Sequence, residues 1–258
     1  CAVSRFLIVR TGSTAPRVRA VHGDYDRWFT DALAGRGLTF GVCDATAGAV
    51  PPPAGHTGVI ITGSTSAAYR REAWMDGLSD LARRAERAGV PVLAVCFAAQ
   101  WLARARGGHV ILNPHGWQIG GVPVELTREG THDPLFAGLP ARLRALATHE
   151  DRIERLPPGA VLLASSPHTP VEAFRAGDRL WGVQFHPELS AAIAESLIRM
   201  RSGELARDAR AHGLDPDRRA DGPIETVRHP EAEQARKVLD NFIEVCLRGS
   251  PAVAEPPR

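Results

Sequence analysis

The chain has 258 residues, 44% of them hydrophobic, and its 31 basic and 29 acidic side chains leave a formal net charge of +2. That length admits one large α/β domain or two small ones with a sizeable buried core, and so even a charge balance gives no ground for a nucleic-acid partner. The longest nearly uninterrupted apolar run, Val90 to Ala99, contains a proline and is about half of a membrane span, so no membrane partner is expected either. Ala-Val-Ser-Arg followed by FLIVR reads as a first strand, not a signal peptide, which makes cytoplasm the expected location. Cys1, Cys43, Cys96 and Cys246 are too scattered for a disulfide framework. The histidines show no HExxH and no zinc-like spacing with cysteine, so no metal or cofactor is expected.

In chain order, Phe6 to Val9 is a short run of β-formers, followed by a loop-like stretch as far as Asp24, a plausible N-cap. Tyr25, Trp28, Phe29 and Leu33 then recur at spacings of three and four, the stripe of an amphipathic helix closed by Gly35 and Gly37. Strands are expected over Leu38 to Cys43 and Val59 to Thr62, with a proline-rich loop from Pro51 to Gly55 between them. A helix with Leu78, Leu81, Ala82 and Ala85 on its apolar face follows, with Arg83, Arg84 and Arg87 on the solvated one. Val90 to Val95 is apolar at every position, as strands buried on both faces of a parallel sheet are.

From Phe97 to Arg106 the pattern is helical and stops at Gly107-Gly108. The next part is β-rich, with short strand candidates at Val110 to Leu112, Val122 to Leu126, Leu143 to Ala147, Val161 to Ala164, Val171 to Phe174 and Leu180 to Phe185. Past Pro187 a helix with Ile193, Leu197 and Met200 on one face is expected. An Arg/Asp-rich stretch to Arg219 and a last helix from Pro230 to about Leu247 follow it. Residues 1–248 are thus expected to form one domain with a helical extension over about 190–248, and 249–258 a disordered tail.

Cys96 stands where a buried strand, PVLAV, gives way at once to a helix, FAAQWLARA. A side chain at such a turn projects above the sheet edge toward helix N–H groups, which suits a nucleophile. The bland alternative is a cysteine packed as a small hydrophobe. Further on, a strand ends at His186-Pro187-Glu188, and proline favours extended geometry in the residue before it. Residues i and i+2 of an extended chain share a side, so His186 and Glu188 can lie together as an imidazole and the carboxylate that orients it. A surface turn without chemistry is the alternative.

Together, Cys96 at such a turn and the downstream His186 and Glu188 resemble the class I glutamine amidotransferases, whose triad is Cys, His and Glu in that order. The core motif, G-[IVL]-C-x-G-x-Q in the family, stands here as Ala94-Val95-Cys96-Phe97-Ala98-Ala99-Gln100. Ile60 to Ser64 looks like the oxyanion loop, and Gly107-Gly108 with Asn113-Pro114 and Gly116 like the stretch after the nucleophile helix. Thr148-His149-Glu150-Asp151 looks like the segment beside the substrate. Within the family the GMP-synthase-like standalone group is the nearest resemblance, through HGDYDRWF, LPPGAVLLASS and the C-terminal helices, with no room for an ATP pyrophosphatase domain. Departures are Ala94 and Ala98 where the family has glycine, Ala99 where histidine is common, and Thr65 where many members have proline.

The resemblance implies a flavodoxin-like three-layer α/β sandwich, its central sheet mostly parallel, with an added small β-rich part at about 110–180. It implies Cys96 as nucleophile on the γ-carboxamide of glutamine, His186 as acid and base, and Glu188 orienting His186. The backbone of Phe97 and of the Gly63-Ser64 loop would form the oxyanion site, and Gln100, Thr148 and Asp151 would hold the substrate's α-amino and α-carboxylate ends. The expected activity is release of glutamate and ammonia through a γ-glutamyl thioester, with glutamine as substrate and a separate synthetase as possible acceptor. A γ-glutamyl peptidase with the same triad and a non-catalytic module that keeps the fold remain as alternatives. Trp101 and Trp117 read as packing residues.

Overall fold

The computed structural model of the chain describes residues 5–70 and 72–249, and of residues 216–221 the backbone alone. The first half runs β1 (Arg5–Arg10), α1 (Pro16–His22), α2 (Tyr25–Ala32), β2 (Thr39–Asp44), β3 (Gly58–Ile61), α3 (Trp74–Ala88), β4 (Val92–Val95) and α4 (Phe97–Ala105). Next come β5 (His109–Leu112), β6 (Gln118–Leu126), the short α5 (Arg128–His132), β7 (Arg142–His149), β8 (Asp151–Arg155), β9 (Val161–Ser165), β10 (Ala173–Ala176) and β11 (Leu180–Val183). The chain then turns helical: α6 (Ala191–Met200), α7 (Ser202–Ala211), α8 (Pro216–Val227) and α9 (Lys237–Gly249).

One sheet organises these elements, in the order β2-β1-β3-β4-β11-β10-β9-β6-β7. The four pairings from β2 to β11 are parallel and the four from β11 to β7 antiparallel. Following direction through these pairings, only β10 and β6 run against the rest, so the sheet described here is mostly parallel in strand direction. The order 2-1-3-4 at one edge is the flavodoxin-like winding. The β-rich part does not form a separate lobe: β6, β7, β9 and β10 extend the same sheet, while β5 and β8 pair apart from it.

Side-chain alternation explains the layering. In β1, Phe6 and Ile8 face one core, with Ile60, Leu93, Val95, Trp181 and Val183; Leu7 and Val9 face the other, with Val59, Ile61, Val92 and Ala94. Phe29 of α2 and Phe242 of α9 cover the first face, and Leu78 of α3 and Leu102 of α4 the second. Since successive strand residues point to opposite faces, a strand covered on both sides must be apolar throughout. Each of these large side chains contributes about 1.5–3 kcal/mol by burial.

The structure departs from the sequence expectations at several elements. The stretch between β1 and Asp24 is not all loop: α1 starts with Pro16 at its first turn and buries only Val18, too little for an apolar stripe. β8 was not expected, nor were α7 in the Arg/Asp-rich stretch and α8, which starts in that stretch and runs past it; Leu205 of α7 and Val227 of α8 pack with Leu197 and Ile198 of α6 and with Leu146. Met200 is exposed, not on the buried face of α6. The last helix begins at Lys237, after a single 3-10 turn over Gln234–Arg236, and runs to Gly249. The expected tail otherwise lies outside the described residues. No helix among the described residues is long and apolar enough to cross a membrane.

Candidate active site

Cys96 joins β4 to α4 with φ 53° and ψ −108°, the one positive φ outside glycine among the described residues. A conformation of this kind costs on the order of 1–3 kcal/mol and persists where the surroundings enforce it. Here the Cys96 N–H donates to the Val183 carbonyl at 2.8 Å, and the Cys96 carbonyl accepts the N–H of Gln100 at 3.0 Å. One bond ties the turn to the end of β11, the other to the first turn of α4. Ala94 and Ala98 are fully buried at this turn, so alanine at the positions where the family has glycine is compatible with it. Phe97, as first residue of α4, carries one of the N–H groups that a helix leaves without an internal acceptor.

Beside Cys96 the chain passes from β3 into Thr62, Gly63 and Ser64. The Thr11 hydroxyl donates to the Gly63 carbonyl at 2.7 Å, and the Ser64 hydroxyl accepts the N–H of Ser66 at 3.0 Å, which fixes this loop. A Cβ on Gly63 would lie 3.2 Å from His186 Cε1 and 3.6 Å from Cys96 Cβ. Glycine is what lets this backbone approach both side chains.

His186 and Glu188 sit beyond the end of β11, as the extended His-Pro-Glu pattern predicts. Their Nδ1 and Oε1 atoms are 2.7 Å apart, with both residues buried. A carboxylate at Nδ1 places the N–H there, which leaves Nε2, a buried atom, to interact with Cys96. Burial alone disfavours the imidazolium, but the charges of Glu188 and Cys96 outweigh it and push His186 up to about 10. The His186 N–H donates to the Leu146 carbonyl of β7 at 2.8 Å, so the antiparallel half of the sheet holds this residue from the other side.

Gln184, two residues earlier, points the same way, and its Nε2 lies 3.7 Å from Cys96 Sγ. Sequence reasoning passed over it, although the period-2 argument that joins His186 to Glu188 extends back to Gln184. The Gln100 amide N–H groups go to the Asp151 carbonyl at 2.9 Å and to Gln184 Oε1 at 3.1 Å. Both are therefore committed within the protein, and Oε1 is the atom left to face a ligand. Asp151 accepts the Tyr69 hydroxyl at 3.2 Å, and burial raises its pKa.

Thr148 and His149 end β7. His149 gives its Nδ1 hydrogen to the Asp151 carbonyl at 2.8 Å, and burial pushes it down to about 3, so it stays neutral and presents Nε2 as an acceptor. Neither that Nε2 nor Thr148 Oγ1 meets a partner among the described residues. A cavity of about 350 Å³ brings Ser64, Cys96, Phe97, Gln100, Thr148 and Asp151 together. A second space of about 20 Å³, room for one water-sized molecule, joins Gly63, Ser64, Cys96, Thr148, His186 and Glu188. The structure thus gathers all nine residues singled out in the sequence. Tyr25 and Trp28, which read in the sequence as a helical stripe, and Arg201, which carries no signal there, line the small space as well.

The sequence profile of the family described as glutamine amidotransferase class-I matches residues 24–199, and the chain belongs to that family. It is 38% identical over 141 residues to a GMP synthase [glutamine-hydrolyzing] of Thermomicrobium roseum, a match covering 55% of this chain and 25% of the relative, so the chain spans about a quarter of that protein's length. It is 26% identical over 228 residues to gamma-glutamyl peptidase 5 of Arabidopsis thaliana, covering 83% of this chain and 91% of the relative. Among solved structures, a glutamine amidotransferase from Methylobacillus flagellatus superposes with a TM-score of 0.76 at 23% identity, covering 100% of this chain and 99% of that one. That likeness establishes the class I amidotransferase fold.

Proposed function

We propose that the chain is a cysteine-dependent hydrolase of the γ-amide of glutamine, and the observation that carries this reading is the strained Cys96 turn facing a buried His186–Glu188 pair. His186 Nε2 takes the thiol proton, and Glu188 stabilises the imidazolium that results. The Cys96 sulfur attacks the γ-carbonyl carbon, and negative charge on the oxygen meets the N–H groups of Phe97 and the Gly63-Ser64 loop. The C–N bond breaks as His186 returns its proton to the leaving nitrogen, giving ammonia and a γ-glutamyl thioester. His186 then takes a proton from water, which attacks the thioester and releases glutamate. Asp151 and Gln100 Oε1 supply acceptors for the α-ammonium, and Thr148 Oγ1 a donor for the α-carboxylate. Ammonia released here can serve a separate synthetase.

A second reading, hydrolysis of γ-glutamyl peptides, is favoured by how much of this chain is matched: 83% by the peptidase relative against 55% by the GMP synthase. The same steps apply with an amino acid as leaving group. Release of glutamate and ammonia from glutamine, measured for the wild type, Cys96→Ala and His186→Ala, tests the proposal. Turnover confined to the wild type supports it; turnover retained in Cys96→Ala excludes this chemistry.

A further inference from the structure

Arg201 lines the small space next to Cys96, where His186 is the other cationic group, and it also lines the 350 Å³ cavity. It lies at the junction of α6 and α7, its side chain only 12% exposed, and its Nη1 is buried without a hydrogen-bond partner among the described residues. Glu204 pairs with it only loosely, Oε2 lying 4.0 Å from Nε, too far for a hydrogen bond. The guanidinium instead rests over the Trp117 ring, 5.3 Å from the centroid. Burying a cation with part of its fork unsatisfied is costly, and a fork of this shape matches a carboxylate. Burial lowers the pKa of Arg201, and the charges of Tyr25, Glu204 and Cys96, in that order, oppose the shift, so the guanidinium is within electrostatic reach of Cys96.

Two groupings stand out among the polar residues of the cavity, whose lining also includes Ser64, Thr65, Ser66, Thr148, His149 and Glu150. Gln100, Tyr69 and Asp151 are joined by hydrogen bonds, with Arg70 electrostatically coupled to Asp151. Arg201 and Glu204 of the C-terminal helices form the other, with Trp117, which precedes β6, and Glu150, which accepts a hydrogen bond from Trp117. The first cluster holds acceptors and a cation for the α-ammonium and α-carboxylate of a γ-glutamyl group. His186, which protonates the departing nitrogen, shares its chamber with Arg201. A leaving amine larger than ammonia exceeds the space of about 20 Å³ and extends into the 350 Å³ cavity, whose lining also includes Arg201.

We propose that Arg201 binds a carboxylate on the leaving amine, so that the site takes γ-glutamyl amino acids. This assignment rests on the hydrolase reading above and deepens it. Arg201 is a binding residue here: it takes no proton, and the bonds made and broken are those of the thioester pathway, with the amino acid leaving in place of ammonia.

The test compares kcat/KM for γ-glutamylglycine and γ-glutamylglycinamide, which differ only in the terminal charge, in the wild type, Arg201→Gln and Arg201→Lys, with melting temperatures read in parallel. The expected result is a preference of at least about tenfold for the free acid in the wild type, lost in Arg201→Gln and partly kept in Arg201→Lys. Equal wild-type rates on acid and amide would overturn the assignment without any variant. So would an equal fall on both compounds in a folded Arg201→Gln, which would mark Arg201 as a partner of the sulfur or of the α-carboxylate. Glutamine turned over while both dipeptides are refused overturns this assignment and leaves the hydrolase reading standing. Refusal of glutamine and both dipeptides by the wild type overturns the hydrolase reading itself.

Discussion

The two halves of the sheet contribute differently to the site. In the parallel half, β3, β4 and β11 end at one edge and place Gly63, Cys96 and His186 there by their own local sequence. The antiparallel half supplies support: Leu146 of β7 holds the His186 N–H, and the end of the same strand delivers Thr148 and His149. The proposed reacting groups thus sit at the ends of parallel strands, as in other open α/β sheets, while the proposed binding groups come from wherever the chain returns. The lesson is that chemistry here follows strand ends and specificity follows packing.

The sharpest break of this contrast is at the parallel edge. His186→Ala is expected to lower glutamine turnover by roughly 10⁴-fold, since it removes the proton carrier, and steady-state assay of glutamate checks this. Glu188→Gln keeps the shape but favours the wrong tautomer, and a loss of about 10²–10⁴-fold is expected in the same assay. Gly63→Ala sharpens the geometric claim, because its methyl would lie 3.2 Å from the His186 ring. A displacement of about 1 Å should cost on the order of 10²-fold in kcat with little change in melting temperature.

The antiparallel half should answer in stability. Glu172, fully buried in the turn before β10, accepts from Gln118 Nε2 and Ser166 Oγ, both at 2.8 Å, yet burial pushes its carboxyl up to about 7 from an ordinary 4.5. The folded state then keeps a proton that the unfolded chain has lost. Its contribution to stability is full below pH 4.5 and is lost as pH rises through 7. Glu172→Gln should flatten that fall, a difference of about 1–3 kcal/mol between pH 4.5 and 8 in denaturant titrations.

The same contrast explains what the sequence disclosed. Cys96, His186 and Glu188 were legible because each is fixed by a local signal: a strand meeting a helix without a linker, and a proline that enforces extended geometry. The parallel strands were legible because burial on two faces demands continuous apolar runs. Gln184 was within reach of the same alternation. Arg201 was not, because its place depends on α6 and α7 folding back over the sheet edge, and nothing in the Arg/Asp-rich stretch distinguishes one arginine from its neighbours. β8 stayed hidden for a related reason: in Asp-Arg-Ile-Glu-Arg only Arg152 and Ile153 are buried, and charged residues hide the strand period.

The central claim is that Cys96 is a nucleophile presented to a γ-glutamyl carbon. Intact-mass spectrometry after incubation with diazo-oxo-norleucine, a glutamine-shaped electrophile, tests it most directly. The account predicts one adduct, mapped to Cys96 by peptide digestion and missing in Cys96→Ala. An unlabelled wild type, or labelling at Cys43 or Cys246 instead, would contradict it.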